Sequence, residues 1–269
     1  MRARTCVICA CLLSACLFPD LGDLNGDGGG ADTGSGDTSK PDVLIGDGGT
    51  DAPNDAPFCK RANHSLCDDF DEVALGAAWT SQHVSFTTLA LDDASATSSP
   101  NSLLAIDPTG MNNGAYAYLQ KDFTGSASRV VCEMQLRVEK LGAAPAYAFQ
   151  LVLTPTNSPM SDYHVGVLQY ATKTQIVEGY DYVDGGSGGQ NSDLSKPISA
   201  DAGTFTRVTI DAKLGSPASI AVMLDGATVL ATTLAAPAST AQTITLGFQE
   251  YFGTAARIRY DDVACDFTP

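Results

Sequence analysis

The run Ile220-Ala221-Val222-Met223-Leu224-Asp225-Gly226-Ala227-Thr228-Val229-Leu230-Ala231-Thr232 sets two short apolar, β-branched segments either side of Asp-Gly. That dipeptide tolerates the left-handed backbone of a two-residue hairpin turn, so the run predicts two antiparallel strands, Ile220–Leu224 and Thr228–Thr232. The same grammar extends outward. Leu103–Ile106, Arg129–Val138, Ala146–Leu153, Tyr163–Ala171, Thr174–Val183, Phe205–Lys213, Thr243–Phe252 and Arg257–Cys265 all suit strands separated by turn residues. No segment combines helical period, length and caps; Ala231–Ala241 is alanine-rich, but Pro237 and its threonines make a poor helix. Many short strands without helices predict an all-β chain: a two-sheet antiparallel β-sandwich or jelly roll.

The 269 residues divide into three parts. Arg2 and Arg4 precede an apolar stretch from Thr5 to Ala15 that is too short to span a bilayer and has the layout of a secretory signal. Its end, Leu13-Ser14-Ala15-Cys16, resembles the lipobox of bacterial lipoproteins. The resemblance implies cleavage after residue 15, lipidation of Cys16, and a chain exported and anchored to the cell envelope. Leu17 in place of Asp favours the outer membrane by analogy with better-known bacteria. Residues 16–57 then carry nine Asp and one Lys among many glycines, with Val43-Leu44-Ile45 as the only apolar cluster. Such a segment cannot bury enough surface to offset its ordering entropy, so it reads as a disordered acidic tether. Residues 58–269 are the size of one all-β domain.

The chain's net charge of −16 argues against nucleic acid and anionic lipid, which need basic patches. Within the domain Cys59, Cys67, Cys132 and Cys265 remain, an even number suited to two disulfides in an oxidising compartment. Four cysteines allow three connectivities. Zinc is disfavoured because none of the four forms Cys-x-x-Cys and His64, His83 and His164 are scattered.

Two segments carry a resemblance to a known family. Leu66-Cys67-Asp68-Asp69-Phe70-Asp71, followed by Trp79, resembles the opening strand of concanavalin A-like lectin/glucanase domains, a group that includes laminin G-like modules. Arg257-Ile258-Arg259-Tyr260-Asp261-Asp262-Val263 resembles their closing strand. The strand at Val130–Arg137 often lies beside the closing one in such sandwiches, which implies the pairing Cys132–Cys265 and leaves the local pair Cys59–Cys67. The layout of lipobox, Asp/Gly-rich tether and cysteine-framed sandwich is similar to surface lipoproteins of myxobacteria-like Gram-negative bacteria. Family members commonly bind glycans and some hydrolyse them, but a fold alone transfers neither activity.

The glucanase members take their carboxylates from Glu-x-Asp-x-x-Glu on one strand, and no such motif occurs here. Glu178 with Asp181 or Asp184 has the wrong spacing, and Asp261 and Asp262 diverge. Gly185-Gly186-Ser187-Gly188-Gly189 matches Gly-x-Ser-x-Gly only formally, since no helix follows; Asp184–Asn191 reads as a flexible loop. Asp23-Leu24-Asn25-Gly26-Asp27-Gly28 matches half a calcium loop, but position twelve is Gly34; it supports weak calcium attraction and no resident cofactor. Strand alternation suggests a face of sugar-binding residue types: Gln150, Glu178, Tyr180, Tyr182, Gln249 and Tyr251. Tyr147 would face the core with Phe149, and Trp79 would pack in the core or at an edge. The expectation is a lipid-anchored, non-catalytic module whose partner is a glycan or surface polysaccharide. The alternatives are a structural or protein-interaction module of the envelope, or a glycoside hydrolase with atypical carboxylates.

Overall fold

The computed structural model describes residues 58–71, 74–108, 110, 114–156, 158–199, 203–250 and 255–269, with the backbone alone at residue 250. The signal segment, Cys16, the tether with its calcium-like loop, and Tyr251 lie outside the described residues.

After a short 3-10 turn at Phe58–Lys60 come fifteen strands: β1 (Leu66–Asp68), β2 (Ser81–Ser85), β3 (Thr88–Asp92), β4 (Ser102–Asp107), β5 (Tyr116–Ala127), β6 (Arg129–Leu141), β7 (Ala146–Pro155), β8 (Met160–Gln169), β9 (Thr174–Tyr182), β10 (Ser187–Asp193), β11 (Thr206–Lys213), β12 (Ala218–Leu224), β13 (Ala227–Leu234), β14 (Ser239–Glu250) and β15 (Ala256–Thr268). They form two antiparallel sheets. Sheet I runs β13-β12-β11-β6-β15-β4-β3, with β1 also paired to β15, and sheet II runs β10-β9-β8-β7-β14-β5-β2. The chain changes sheet repeatedly, as a jelly roll does. The Asp225-Gly226 hairpin joins β12 to β13, with φ of 51° and 80° at the two turn residues.

Strand alternation explains the core. Val130, Met134, Leu136, Val208, Ile210, Ile258 and Tyr260 of sheet I meet Leu119, Phe149, Leu151, Val165, Val167, Ile176, Ile244, Leu246 and Phe248 of sheet II. Cys132 lies opposite Cys265 in the β6–β15 register and is bonded to it, with Cα atoms 4.1 Å apart. Cys59 is bonded to Cys67 at a Cα separation of 5.5 Å.

The residues of both family-like segments turn out to hold the fold together. Asp68 accepts from the Phe70 backbone N–H at 2.8 Å and from Trp79 Nε1 at 2.6 Å, which seats the buried indole against β1. Asp261, fully buried, accepts from the backbone N–H of Thr97 at 2.5 Å and of Ser98 at 3.1 Å. The β3–β4 connection is thereby fastened over the outer face of sheet I.

Burial pushes the Asp261 carboxyl up to about 7, against the hydrogen bonds from Thr97 and Ser98 and with the adjacent Asp262 adding to the rise. The unfolded value is about 3.9, so between the two the folded chain holds a proton that the unfolded chain has released. This group's contribution is therefore complete below about pH 4 and is lost as pH rises to about 7. Asp92, Glu139 and Asp211 are held below the usual carboxylate range, so their contributions are lost only as acid titrates them. Burial also raises the neighbouring Asp262, which adds a slope of the same sign. Between pH 5 and 7 the melting temperature is therefore expected to fall as pH rises, and Asp261→Asn should reduce that slope in a thermal-melt series. An unchanged slope would assign the effect elsewhere.

Several elements go beyond the sequence expectation. β2, β3 and the twelve-residue β5 were not anticipated as strands, and the segment read as a flexible loop overlaps β10, seven residues in register with β9. Glycine gives it no strand propensity, but the pairing demands glycine. A Cβ on Gly189 would come within 2.2 Å of the Glu178 carbonyl oxygen, and one on Gly188 within 2.4 Å of the Tyr180 ring.

Candidate functional site

The six residues anticipated as one face do not share one. In sheet II, Glu178 is opposite Val165 and Tyr180 opposite Tyr163, so both lie on the inward side with Ile176. Tyr182 follows on the same side by alternation and meets Tyr180 edge-on, ring centroids 5.4 Å apart. Gln150 pairs with Gly166 and Thr245, and Gln249 with Tyr116, all on the outward side.

Glu178 is an anchor of the inter-sheet seam. It is buried, and its carboxylate accepts from Tyr163 Oη at 2.6 Å, Gln190 Nε2 at 2.6 Å and the Ala235 backbone N–H at 2.6 Å. Ala235 follows β13, so this one side chain ties the edge of sheet II to the edge of sheet I. Burial, then the bond to Glu178, pushes the Tyr163 phenol far above its ordinary value. A cavity of about 300 Å³ opens here between Glu178, Tyr180, Gln190 and Thr233–Ala235. With both oxygens engaged, Glu178 is poorly placed to act as a glycosidic acid or base.

The outward face of sheet II is built differently, because two successive bulges bend it. Leu246 and Gln249 of β14 pair with Phe149 and Tyr147 of β7, so two β14 residues oppose one on β7. Tyr147 and Phe149 in turn pair with the adjacent Leu168 and Val167 of β8. Ala148 and Phe149 therefore both enter the core, and Tyr147 goes outward, contrary to simple alternation. Tyr260 of sheet I stabilises this irregularity from below: its hydroxyl lies 2.9 Å from the Ala148 carbonyl oxygen and 3.0 Å from that of Gly247, donating its single proton to this pair.

Glycines make the floor of this face low. A Cβ on Gly166 would lie 2.8 Å from the Tyr147 ring, and one on Gly179 would lie 2.5 Å from the His164 imidazole, so each ring lies flat over a glycine. Gln150 is opposite Gly166 and His164 opposite Val152, which makes Gln150 and His164 diagonal neighbours on the same side. Neither has a hydrogen-bond partner among the described residues, although Gln150 is only 7% exposed. Further along, His83 stacks on Tyr118 at 4.9 Å and accepts from or donates to Ser81 Oγ at 2.8 Å, while Tyr116 lies 5.7 Å from Tyr118. Burial raises the Tyr118 phenol.

The outward strand positions among the described residues carry Asp122, Asp162, Asp181 and Asp193 but no Lys or Arg. Asp162 and Asp181 face each other directly in the β8–β9 register. Among the described residues no cluster of three or more His, Cys, Asp or Glu could hold a metal ion. The sequence reading anticipated Gln150 and Gln249 on this face but not Tyr147, His83, His164 or Tyr118. The glycines at 166, 179 and 247 were the available signal, since isolated strand glycines mark bulges or close approaches.

No family model matches the chain, and no curated protein matches it by sequence. Solved structures do share its fold. The endo-β-1,4-glucuronan lyase of the fungus Trichoderma reesei superposes with a TM-score of 0.60 at 13% identity, covering 76% of this chain and 96% of that one. An alginate lyase gives 0.52 at 12% identity, covering 75% and 96%. A mixed linkage glucan GH16 protein of Bacteroides ovatus, in complex with product, gives 0.51 at 9% identity, covering 74% and 99%. At these identities the likeness establishes a common jelly-roll fold.

Proposed function

We propose that this domain binds a neutral polysaccharide across the outward face of sheet II, with Tyr147, Gln150 and His164 at the centre of contact. The observation that carries this is an amide and an imidazole that reach solvent without a hydrogen-bond partner among the described residues, over a glycine floor and flanked by tyrosines. Sugars are held by amides and imidazoles that bond paired hydroxyls and by aromatic faces against C–H patches. The glucuronan and alginate lyases that share the fold act, by their names, on acidic polymers. Here the charge argues the other way. Asp193 is paired with Lys173 at 3.6 Å, but Asp122 and the facing pair Asp162 and Asp181 have no Lys or Arg among the described strand positions of this face, and such a surface repels a polyuronate. The mixed linkage glucan of the Bacteroides neighbour is the kind of uncharged chain that fits.

The role is binding rather than hydrolysis. Glu178, the acid considered first, is spent on the seam. The sequence adds the setting: lipidation at Cys16 and the acidic tether would hold the domain off the envelope surface, where polysaccharide is met.

The test is titration of the full chain with mixed linkage glucan, alginate and polyglucuronate, together with a Gln150→Ala/His164→Ala variant. Binding to the neutral polymer that the variant loses by at least tenfold is the expected result. Preference for either polyuronate, or unchanged binding in the variant, rejects the assignment. Membrane fractionation of Cys16→Ser tests the anchor, and a variant that stays membrane-bound overturns it.

A further inference from the structure

One outward row continues beyond this centre. Leu168, Tyr147, Gln249, Tyr116 and Ser85 are successive partners across β8, β7, β14, β5 and β2. Four strand spacings make that row about 19 Å long, at right angles to the strands. The next residue after Ser85 is Phe86, which is 68% exposed. It has a φ of +59°, a left-handed conformation that a bulky side chain rarely adopts. The Thr87 hydroxyl donates to the Tyr116 carbonyl oxygen, which fastens this turn to β5 at the end of the row. Tyr116, the partner of Ser85, is 36% exposed on the outward side, whereas Val84, opposite the core residue Ala117, lies on the other side of the sheet.

Folding explains none of this. An exposed phenylalanine contributes no burial, and glycine or asparagine would occupy the left-handed position at lower cost. A strained, exposed aromatic one residue beyond the cross-strand partner of a second exposed aromatic is instead the arrangement expected where an apolar face must be presented to a ligand.

We propose that Phe86 and Tyr116 form a terminal sugar-stacking subsite, a ledge that receives a pyranose ring of the same neutral chain that crosses Tyr147 and Gln249. The assignment rests on the polysaccharide reading above and extends it: the face reads chain length. A short oligosaccharide engages only the Tyr147–Gln150–His164 centre. A longer one reaches the ledge and gains the stacking contact. The occupant is taken to be a glycan because the row is continuous with the polar centre and lacks the apolar area that a protein interface of stable size needs.

The experiment titrates wild type, Phe86→Ala and Phe86→Gly with mixed linkage glucan oligosaccharides of increasing length. Wild-type affinity is expected to rise about tenfold between the shortest oligosaccharide that binds and the longest. Both variants should lose that rise while binding the shortest equally well. Phe86→Gly should also melt at or above the wild-type temperature, because glycine relieves the backbone; a lower melting temperature would mean that Phe86 serves folding and would overturn the ledge. A wild type that binds, with length dependence unchanged in the variants, rejects the ledge and leaves the centre intact. A wild type that binds none of the oligosaccharides rejects both. If wild type sediments as a dimer that Phe86→Ala dissociates, the patch is a protein interface and the sugar assignment fails.

Discussion

Replacing Arg259 by Met is expected to remove about 3–5 kcal/mol of stability at neutral pH, the usual consequence of stranding the partners of a buried ion pair. The guanidinium is 2% exposed, on the outward side of sheet I beneath the β3–β4 connection. Its Nε donates to Glu139 at 2.5 Å, and its Nη1 donates to Asp92 at 2.9 Å and to Ser102 Oγ at 3.2 Å. Arg257 also donates to Glu139. The bond from Arg259 holds the Asp92 carboxyl below its ordinary value; burial pushes Glu139 up, but the bonds from Arg259 and Arg257 more than reverse it. Both carboxylates therefore contribute stability above their unfolded values, which is lost as pH falls through the folded ones.

With Met at 259 that relation changes. Asp92 loses its hydrogen-bonded cation and is left with Arg257 at longer range, and Glu139 keeps Arg257 and Arg137 but loses its most buried partner, so burial is offset less for both charges. The penalty should shrink as the carboxyls protonate, and denaturation at pH 4 should show a smaller difference from wild type than denaturation at pH 7. Arg259→Lys should fall between, because an ammonium cannot span Glu139, Asp92 and Ser102 in one planar fork. A penalty that is the same at both pH values would mean that lost packing, not stranded charge, dominates. Asp92 ends β3 and Ser102 begins β4, so this cluster also decides whether the two strands stay docked on β15.

How much of this was legible beforehand differs by level. The alternation of Val130–Leu136, Ile220–Leu224 and Ile258–Tyr260 is regular, so the two-sheet fold could be read from it. Alternation also placed Glu178 with Ile176, but not which side of the sheet that was. The side depends on partners far apart in sequence: Tyr163 across one strand pair and Ala235 from the other sheet. Tyr147 was misplaced for a different reason. The β7 bulge adds Ala148 to the strand with no glycine of its own to mark it, and it flips everything beyond it. β10 was hidden because its glycines answer to the Tyr180 ring and the Glu178 carbonyl rather than to strand propensity. The functional face thus lies where local pattern is weakest, in glycines and bulges whose meaning is supplied by neighbouring strands.

Gly247 puts that idea to its hardest test. It sits at the β14 bulge with a φ of +129°, and a Cβ there would lie 2.2 Å from the Ala117 carbonyl oxygen and 2.6 Å from the Tyr118 Cα. Both obstacles are β5 backbone, so a rotamer change cannot relieve them. Adding the conformational cost to the overpacking cost, Gly247→Ala should destabilise by about 3–5 kcal/mol. The chain can escape only by closing the bulge, which would return β14 to regular pairing with β7. That movement would take the Gly247 carbonyl away from the Tyr260 hydroxyl and disturb the row through Tyr147, Gln249 and Tyr116. Two measurements therefore belong together: the denaturation midpoint of Gly247→Ala and its affinity for mixed linkage glucan. Tyr260→Phe is the reference, since it removes the hydroxyl beneath the bulge while leaving the glycine in place, at a cost of about 1–3 kcal/mol. If Gly247→Ala folds with near wild-type stability, the bulge is not enforced by sterics. If it is destabilised as expected but binds glucan as well as wild type, the bulge serves the fold alone and the outward row is not the binding surface.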